Sequence, residues 1–325
     1  MADQWQQTLK KALKGSELDA IKSSESFDDA GHKLFPTVIT DSQLAQANLN
    51  DPHDPIVLQY IPQASEQIEH PDFKSDPVGD MDASKTAGLI HKYHGRVLLI
   101  VSGSCAVNCR YCFRRHFPYQ DNKGSKTIWQ ESIDYIANHP EVNEVIFSGG
   151  DPLMAKDHEL TWLIQHIEAI PHIKRLRIHS RLPVVIPNRI TDTLCQLFKQ
   201  TRLQIILVTH INHANEINFE LVNKMTQLKQ SNVTLLNQSV LLKDVNDTTE
   251  ALTDLSEALF DAGILPYYLH VLDKVQGAAH FFVSDEKAKQ LMGELIENVS
   301  GYLVPTLARE IGGRKSKTPL DLYLE

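Results

Sequence analysis

Arg96-Val97-Leu98-Leu99-Ile100-Val101-Ser102-Gly103-Ser104-Cys105-Ala106-Val107-Asn108-Cys109-Arg110-Tyr111-Cys112 opens as a β-branched run and closes on three cysteines. Arg96–Val101 reads as a buried strand. The same kind of run returns at Glu144–Phe147, Leu176–His179, Gln204–Thr209, Thr234–Val240 and Tyr267–Leu272. Helical periodicity fills the intervals at Trp129–Asn138, Glu159–Ile170, Asp192–Lys199, Phe219–Gln230 and Thr248–Ala262, and returns last at Glu286–Asn298. Strands alternating with helices imply parallel strands joined by crossovers. The units are too few for a closed eight-stranded barrel. The fold expected is α/β, an open six-stranded (β/α)6 partial barrel, with a doubly wound sheet as the alternative. In both, chemistry gathers at the C-terminal ends of strands. Cys105, Gly149, Arg181, His210, Gln238 and Asp273 all lie at or near such ends.

Working outward, residues 1–85 carry several Pro and Asp and little β pattern. Trp5–Leu13 and Ser42–Asn48 read as short helices, and Asp51-Pro52-His53-Asp54-Pro55 as a turn-rich connector. This divides the chain into an N-terminal extension (1–85), a core (86–300) and a short C-terminal segment (301–325). The 325 residues carry a formal net charge of −9, which argues against a nucleic-acid partner. No apolar run reaches the length of a membrane span, and the polar N-terminus has no signal-peptide pattern, so a cytoplasmic protein is expected.

Three of the four cysteines form a C-x3-C-x2-C cluster. In a reducing compartment such a cluster reads as a metal site. Three thiolates can hold three irons of a four-iron cube and leave the fourth open. Structural zinc, the bland alternative, wants four ligands, and His116 is the nearby candidate. Cys195 stands alone in a helical pattern and reads as a small core residue.

The triplet, with Tyr111 before its third cysteine, resembles the radical S-adenosylmethionine (SAM) signature. The resemblance implies a [4Fe–4S] cluster on Cys105, Cys109 and Cys112 whose open iron binds SAM and cleaves it to a 5′-deoxyadenosyl radical. Phe147-Ser148-Gly149-Gly150-Asp151-Pro152 resembles the glycine-rich SAM turn, in which Ser148, Gly149, Gly150 and Asp151 face the cofactor; His210 and Gln238 match further positions near SAM.

Broader anchors resemble the lysine 2,3-aminomutase family: His91-Lys92-Tyr93, Cys112-Phe113-Arg114-Arg115, Thr209-His210-Ile211-Asn212-His213, Asn237-Gln238-Ser239, His280-Phe281 and the stretch Val304 to Pro319. They keep family order over roughly residues 75 to 320. The resemblance implies pyridoxal 5′-phosphate (PLP) joined to Lys317 as an imine, with Lys315 the rival; Arg96 on its phosphate, Lys92 helping, and Tyr93 beside its ring. It implies Arg114 on the substrate carboxylate, and Asp273 with Glu310 around the substrate ε-ammonium. Glu310 departs from the aspartate common in the family, and the glycine run before the PLP lysine is interrupted by Arg314 and Lys315. The reaction implied is L-lysine to (R)-β-lysine by 1,2-amino migration. Implied partners are a reducing protein such as flavodoxin or ferredoxin, and a homo-oligomer is possible. The compact ending after Lys317 resembles the family's short bacterial branch, which supplies β-lysine to a ligase that modifies elongation factor P. The alternatives are an aminomutase making free β-lysine for catabolism or osmolyte synthesis, and a non-catalytic iron–sulfur or zinc scaffold.

Overall fold

Each strand expected from the sequence forms close to its expected bounds, and the sheet continues past them at both edges. The computed structural model describes residues 4–12, 21–22, 26–80, 84–86, 88–118 and 125–322. The strands are β1 (Ser84–Thr86), β2 (Leu89–Tyr93), β3 (Arg96–Ser102), β4 (Glu144–Gly149), β5 (Arg175–His179), β6 (Gln204–Thr209), β7 (Thr234–Leu241), β8 (Leu265–Val271), β9 (Thr306–Arg309) and β10 (Thr318–Pro319). They lie in one ten-stranded sheet in sequence order. From β3 to β9 every pairing is parallel; β1 and β2 lead in antiparallel, and β10 turns back on β9. The β/α barrel core therefore has an extra parallel strand, β9, which the sequence reading left inside the C-terminal segment. Thr306-Leu307-Ala308-Arg309 is too short to show a period.

Before the sheet come α1 (Gln4–Ala12), α2 (Asp29–Leu34), α3 (Asp41–Leu44) and α4 (Pro55–Tyr60). Leu13, the expected end of α1, lies outside the described residues. The second expected helix closes early, at Leu44. The turn-rich connector does more than turn. Asp54 accepts from the backbone N–H of Ile56 and Val57 while Pro55 takes the first helical position, so the connector starts α4. Within the core run α5 (Lys126–Ala137), α6 (Asp157–Glu168), α7 (Leu182–Val185), α8 (Asp192–Gln200), α9 (Phe219–Gln230), α10 (Thr249–Asp261) and α11 (Asp285–Asn298). Short polar side chains cap most of these: Ser125, Thr191, Asn218, Thr248 and Ser284 each accept an N–H from the first turn.

Helices cover the outer face of the sheet, and the main core fills the layer between. Leu99, Phe147, Leu176, Ile178 and Leu207 on the strands meet Ile136, Leu160, Leu163, Ile167 and Leu221 on the helices. Fully burying one such side chain stabilises the fold by about 1.5–3 kcal/mol. A second cluster packs α11 against β8 and β9 through Leu269, Val271, Leu291, Leu295 and Leu307. The other face of each strand is thereby left to line the barrel interior.

Candidate active site

The barrel interior holds a cavity of about 380 Å³. Every site residue named from the sequence lines it: the three cysteines, Ser148 to Asp151, Lys92, Tyr93, Arg96, Arg114, His210, Gln238, Asp273, Glu310 and Lys317. His116 is absent from the lining, is exposed, and meets the Gln276 carbonyl at 3.4 Å.

At one end lies the cysteine loop after β3. It is latched to the glycine turn after β4 by backbone alone: Gly150 N donates to Ser102 O at 2.8 Å, and Asp151 N to Ser104 O at 2.9 Å. Contact this close needs glycine. A Cβ on Gly149, whose φ is +126°, would sit 2.4 Å from Ser102 O, and one on Gly150 would sit 2.6 Å from Ser104 O. Gly150→Ala is therefore expected to cost about 1–3 kcal/mol and to lower the iron retained by the cysteines; denaturation midpoints and iron content of reconstituted protein check it. Asp151 contributes differently from the expectation of a SAM-facing carboxylate. One oxygen accepts from Ser180 Oγ (2.7 Å) and Leu153 N (3.0 Å), the other from the backbone N–H of Arg181 and Leu182 (both 2.8 Å). Its carboxylate ties the turn to the end of β5.

The loop is also pinned from the N-terminal side. Arg110 is fully buried, paired through Nη2 to Glu66 Oε2 at 2.6 Å, and donates through Nη1 to the Phe35 carbonyl at 2.7 Å. A buried pair of this kind is costly to break from one side. Among the described residues, no three His, Cys, Asp or Glu side chains are grouped as one metal ion would need; a four-iron cube asks instead for one thiolate on each of three irons. Burial, then the neighbouring cysteine, pushes the Cys112 thiol up to about 11, and Cys105 rises for the same reasons. Crowded buried thiols resist ionisation until cations take the charge, which suits an iron–sulfur site.

A charged cluster occupies the middle. Asp80, which the sequence reading missed, receives Lys92 Nζ at 2.6 Å and Arg114 Nε at 2.7 Å. Burial alone would raise the Asp80 carboxyl, but Arg114 and Lys92 overrule it and hold it at about 2. Lys92 spends its other donors on Glu310 Oε1 (2.9 Å) and the Val78 carbonyl (2.9 Å). All three of its N–H groups are thus used, so Lys92 acts here as counter-charge to Asp80 and Glu310. Glu310 Oε2 lies 3.5 Å from Lys317 Nζ. The hairpin register explains this meeting: Thr318 on β10 pairs with Arg309 on β9, which sets Lys317 across from Glu310. Lys315, two residues back, is exposed at the hairpin tip.

The far wall is aromatic and basic. Arg96 stacks over the Tyr93 ring at 4.4 Å, and its guanidinium makes no hydrogen bond or ion pair among the described residues. Lys317 Nζ lies 3.3 Å from His270 Nε2 and 5.6 Å from the Tyr268 ring centre. Burial keeps His270, His179 and His210 (at about 3) neutral, the cations Lys317, Arg177 and Arg181 respectively adding to the effect. The buried His179 Nε2 and Arg177 Nε have no hydrogen-bond partner among the described residues. Orphan donors, an uncommitted guanidinium, an amine and aromatic walls fit a flat phosphate ester such as PLP. Arg177, His179, Tyr268 and His270 were not read from the sequence, although strand alternation puts each pair on one face of its strand. Gln238 sits at a register shift within β7 rather than at its end; such bulges re-aim side chains.

Known proteins resemble the chain at the level of superfamily and family. The Radical SAM superfamily model matches residues 99–261. An L-lysine 2,3-aminomutase of Escherichia coli is 60% identical over 292 residues, covering 90% of this chain and 85% of its own. One from Haemophilus influenzae is 52% identical over 326 residues, covering 99% and 96%. A radical SAM methyltransferase structure from Sphaerobacter thermophilus overlays with a TM-score of 0.49 at 14% identity, covering 68% of each chain. An isomerase with a [4Fe–4S] cluster, SAM and PLP as cofactors is what these relationships imply. Sequence identity at this level over nearly the whole chain, together with the cysteine loop and the glycine turn latched to it, makes the protein a member of the L-lysine 2,3-aminomutase family within the radical SAM superfamily.

Proposed function

We propose that this chain converts L-lysine to (R)-β-lysine with PLP on Lys317, and that the product serves the modification of elongation factor P. The observation that carries the reading is that one cavity is lined by the three cysteines, Arg114, the carboxylates of Asp273 and Glu310, and the half-buried Lys317. When bound, the cluster and SAM supply a radical able to take hydrogen from an unactivated carbon, and PLP supplies a π bond for the migrating nitrogen.

The chain's own residues do the positioning. Arg114 is braced by Asp80 and by Ser148 Oγ at 3.2 Å, so its guanidinium is pre-oriented for the lysine carboxylate. Arg96 suits the cofactor phosphate. Lys317 Nζ is held for bonding to the cofactor between His270 Nε2 at 3.3 Å and Glu310 Oε2 at 3.5 Å. Burial would raise Glu310, but Lys317 and Lys92 hold it below its ordinary value, so it stays ionised as one half of the clamp. Asp273 forms the other half. Burial lifts its carboxyl to about 7, with Lys317 opposing and Glu310 and Asp80 adding to the rise.

That value sets a pH dependence. The substrate ammonium needs Asp273 ionised, and ionisation is lost as pH falls through about 7. kcat/KM for lysine is expected to fall about tenfold per unit below that point. In Asp273→Asn it is expected to be about 10²-fold lower and flat through the same range. A pH profile of both proteins decides; an unchanged inflection in the variant removes Asp273 from the clamp.

The activity itself is tested by incubating anaerobically reconstituted protein with SAM, PLP, a reductant and L-lysine, and resolving products by chiral chromatography. (R)-β-lysine dependent on every component supports the reading. 5′-Deoxyadenosine without β-lysine leaves the radical chemistry and overturns the substrate. Addition of elongation factor P and its ligase, with mass measurement of the factor, tests the destination of the product.

A further inference from the structure

We infer that Arg181 sets the reduction potential of the iron–sulfur cluster through a hydrogen bond to the sulfur of Cys109. The inference rests on the cluster reading and concerns a residue with no role so far. Arg181 follows β5, and its side chain is 8% exposed. Its Nη1 lies 3.1 Å from Cys109 Sγ and also donates to the Tyr111 hydroxyl. Nη2 donates to Gln59 Oε1 at 2.8 Å and to Glu216 Oε2 at 2.5 Å. The guanidinium lies over the Tyr60 ring at 4.8 Å. Parts of the chain far apart in sequence therefore fix its orientation, and a planar fork held this way cannot swing away from the sulfur.

A charged N–H donor on a cluster sulfur withdraws electron density and stabilises the reduced, more negative cluster. The step is one electron from an external one-electron reductant to the oxidised cluster, with no bond made or broken. Glu216 tempers the effect. Its side chain is fully buried and also accepts from Asn212 N at 2.8 Å and His213 N at 3.1 Å. The Arg181–Glu216 pair thus works as an oriented dipole with its positive end on Cys109. A scaffold role alone would ask only that the pair be neutral. A tuning role makes the two charges act in opposite directions.

That difference supplies the test. Wild type, Arg181→Gln and Glu216→Gln are reconstituted anaerobically, and the cluster is titrated potentiometrically with the EPR signal of its reduced form as readout. At the poise that half-reduces wild type, the reduced-to-oxidised ratio in Arg181→Gln is expected to fall about tenfold, a shift of about 59 mV for one electron. In Glu216→Gln the ratio is expected to rise. Opposite shifts support the inference; unchanged midpoints, or shifts of the same sign, overturn it. Should Arg181→Gln fail to retain iron, Glu216→Gln decides alone, with an upward shift in favour and no shift or a downward one against. A wild type lacking any cluster signal removes the cluster reading and this inference together, whereas an intact cluster with unmoved midpoints removes the inference only.

Discussion

Lys317→Ala is expected to abolish β-lysine formation and the visible absorbance of protein-bound PLP, while iron content and reductive cleavage of SAM remain. The reason lies in the C-terminal hairpin. β9 and β10 set Lys317 opposite Glu310, with Nζ near His270 and the Tyr268 ring. Alanine removes this amine and leaves the backbone register intact, so the loss is chemical and not one of folding. Lys315 does not compensate, because it is exposed at the tip and lies outside the cavity lining. Lys315→Ala is accordingly expected to keep both activity and absorbance. Absorbance spectra, iron analysis and 5′-deoxyadenosine assays on the two variants check this. Retained absorbance in Lys317→Ala with loss in Lys315→Ala would move the cofactor to the other lysine.

Cys109→Ala is expected to be as severe by a separate route. It removes one of the thiolates needed to leave a single open iron, so reductive SAM cleavage and β-lysine formation both disappear. The fold should survive. Arg181 loses the sulfur but keeps Glu216, Gln59 and Tyr111, and the loop keeps its Arg110–Glu66 anchor. Iron and sulfide per chain, and 5′-deoxyadenosine formed with a chemical reductant, give the answer. SAM cleavage at the wild-type rate would sink the cluster assignment.

Much of this architecture was legible in sequence, and the gaps have physical causes. The strands from β3 to β8 announce themselves through the apolar, often β-branched residues on the face that meets the helices. The hairpin β1–β2 and the strands β9 and β10 do not, because edge elements of two to five residues carry no period. Residues with distinctive chemistry at distinctive spacing, such as the cysteines and Gly149-Gly150, were found. Asp80 was not: it lies in an irregular stretch, and its importance comes from Lys92 and Arg114, which only folding brings to it. Lys92 shows the converse. Sequence resemblance suggested a phosphate ligand, whereas three-dimensional contacts spend all its donors on Asp80, Glu310 and Val78. The rule that sites follow strand ends held for the cysteine loop but misses Arg96 and Arg177, which line the cavity from the opposite end and the middle of their strands.

The Glu310–Lys317 pair has a consequence for occupancy. Lys317 carries the same side chain as the amino acid the family acts upon, and it already rests against Glu310 and lowers the pKa of Asp273. The protein thus holds a tethered imitation of its own substrate. On the proposed reading, once the nitrogen of Lys317 is bonded to the cofactor and its charge is gone, Glu310 keeps only Lys92 of its two ion-pair partners among the described residues, and an incoming ε-ammonium restores the balance. On that reading, loading of the cofactor and admission of lysine become a single exchange of one cation for another. A neutral or acidic guest of the same length offers no such replacement.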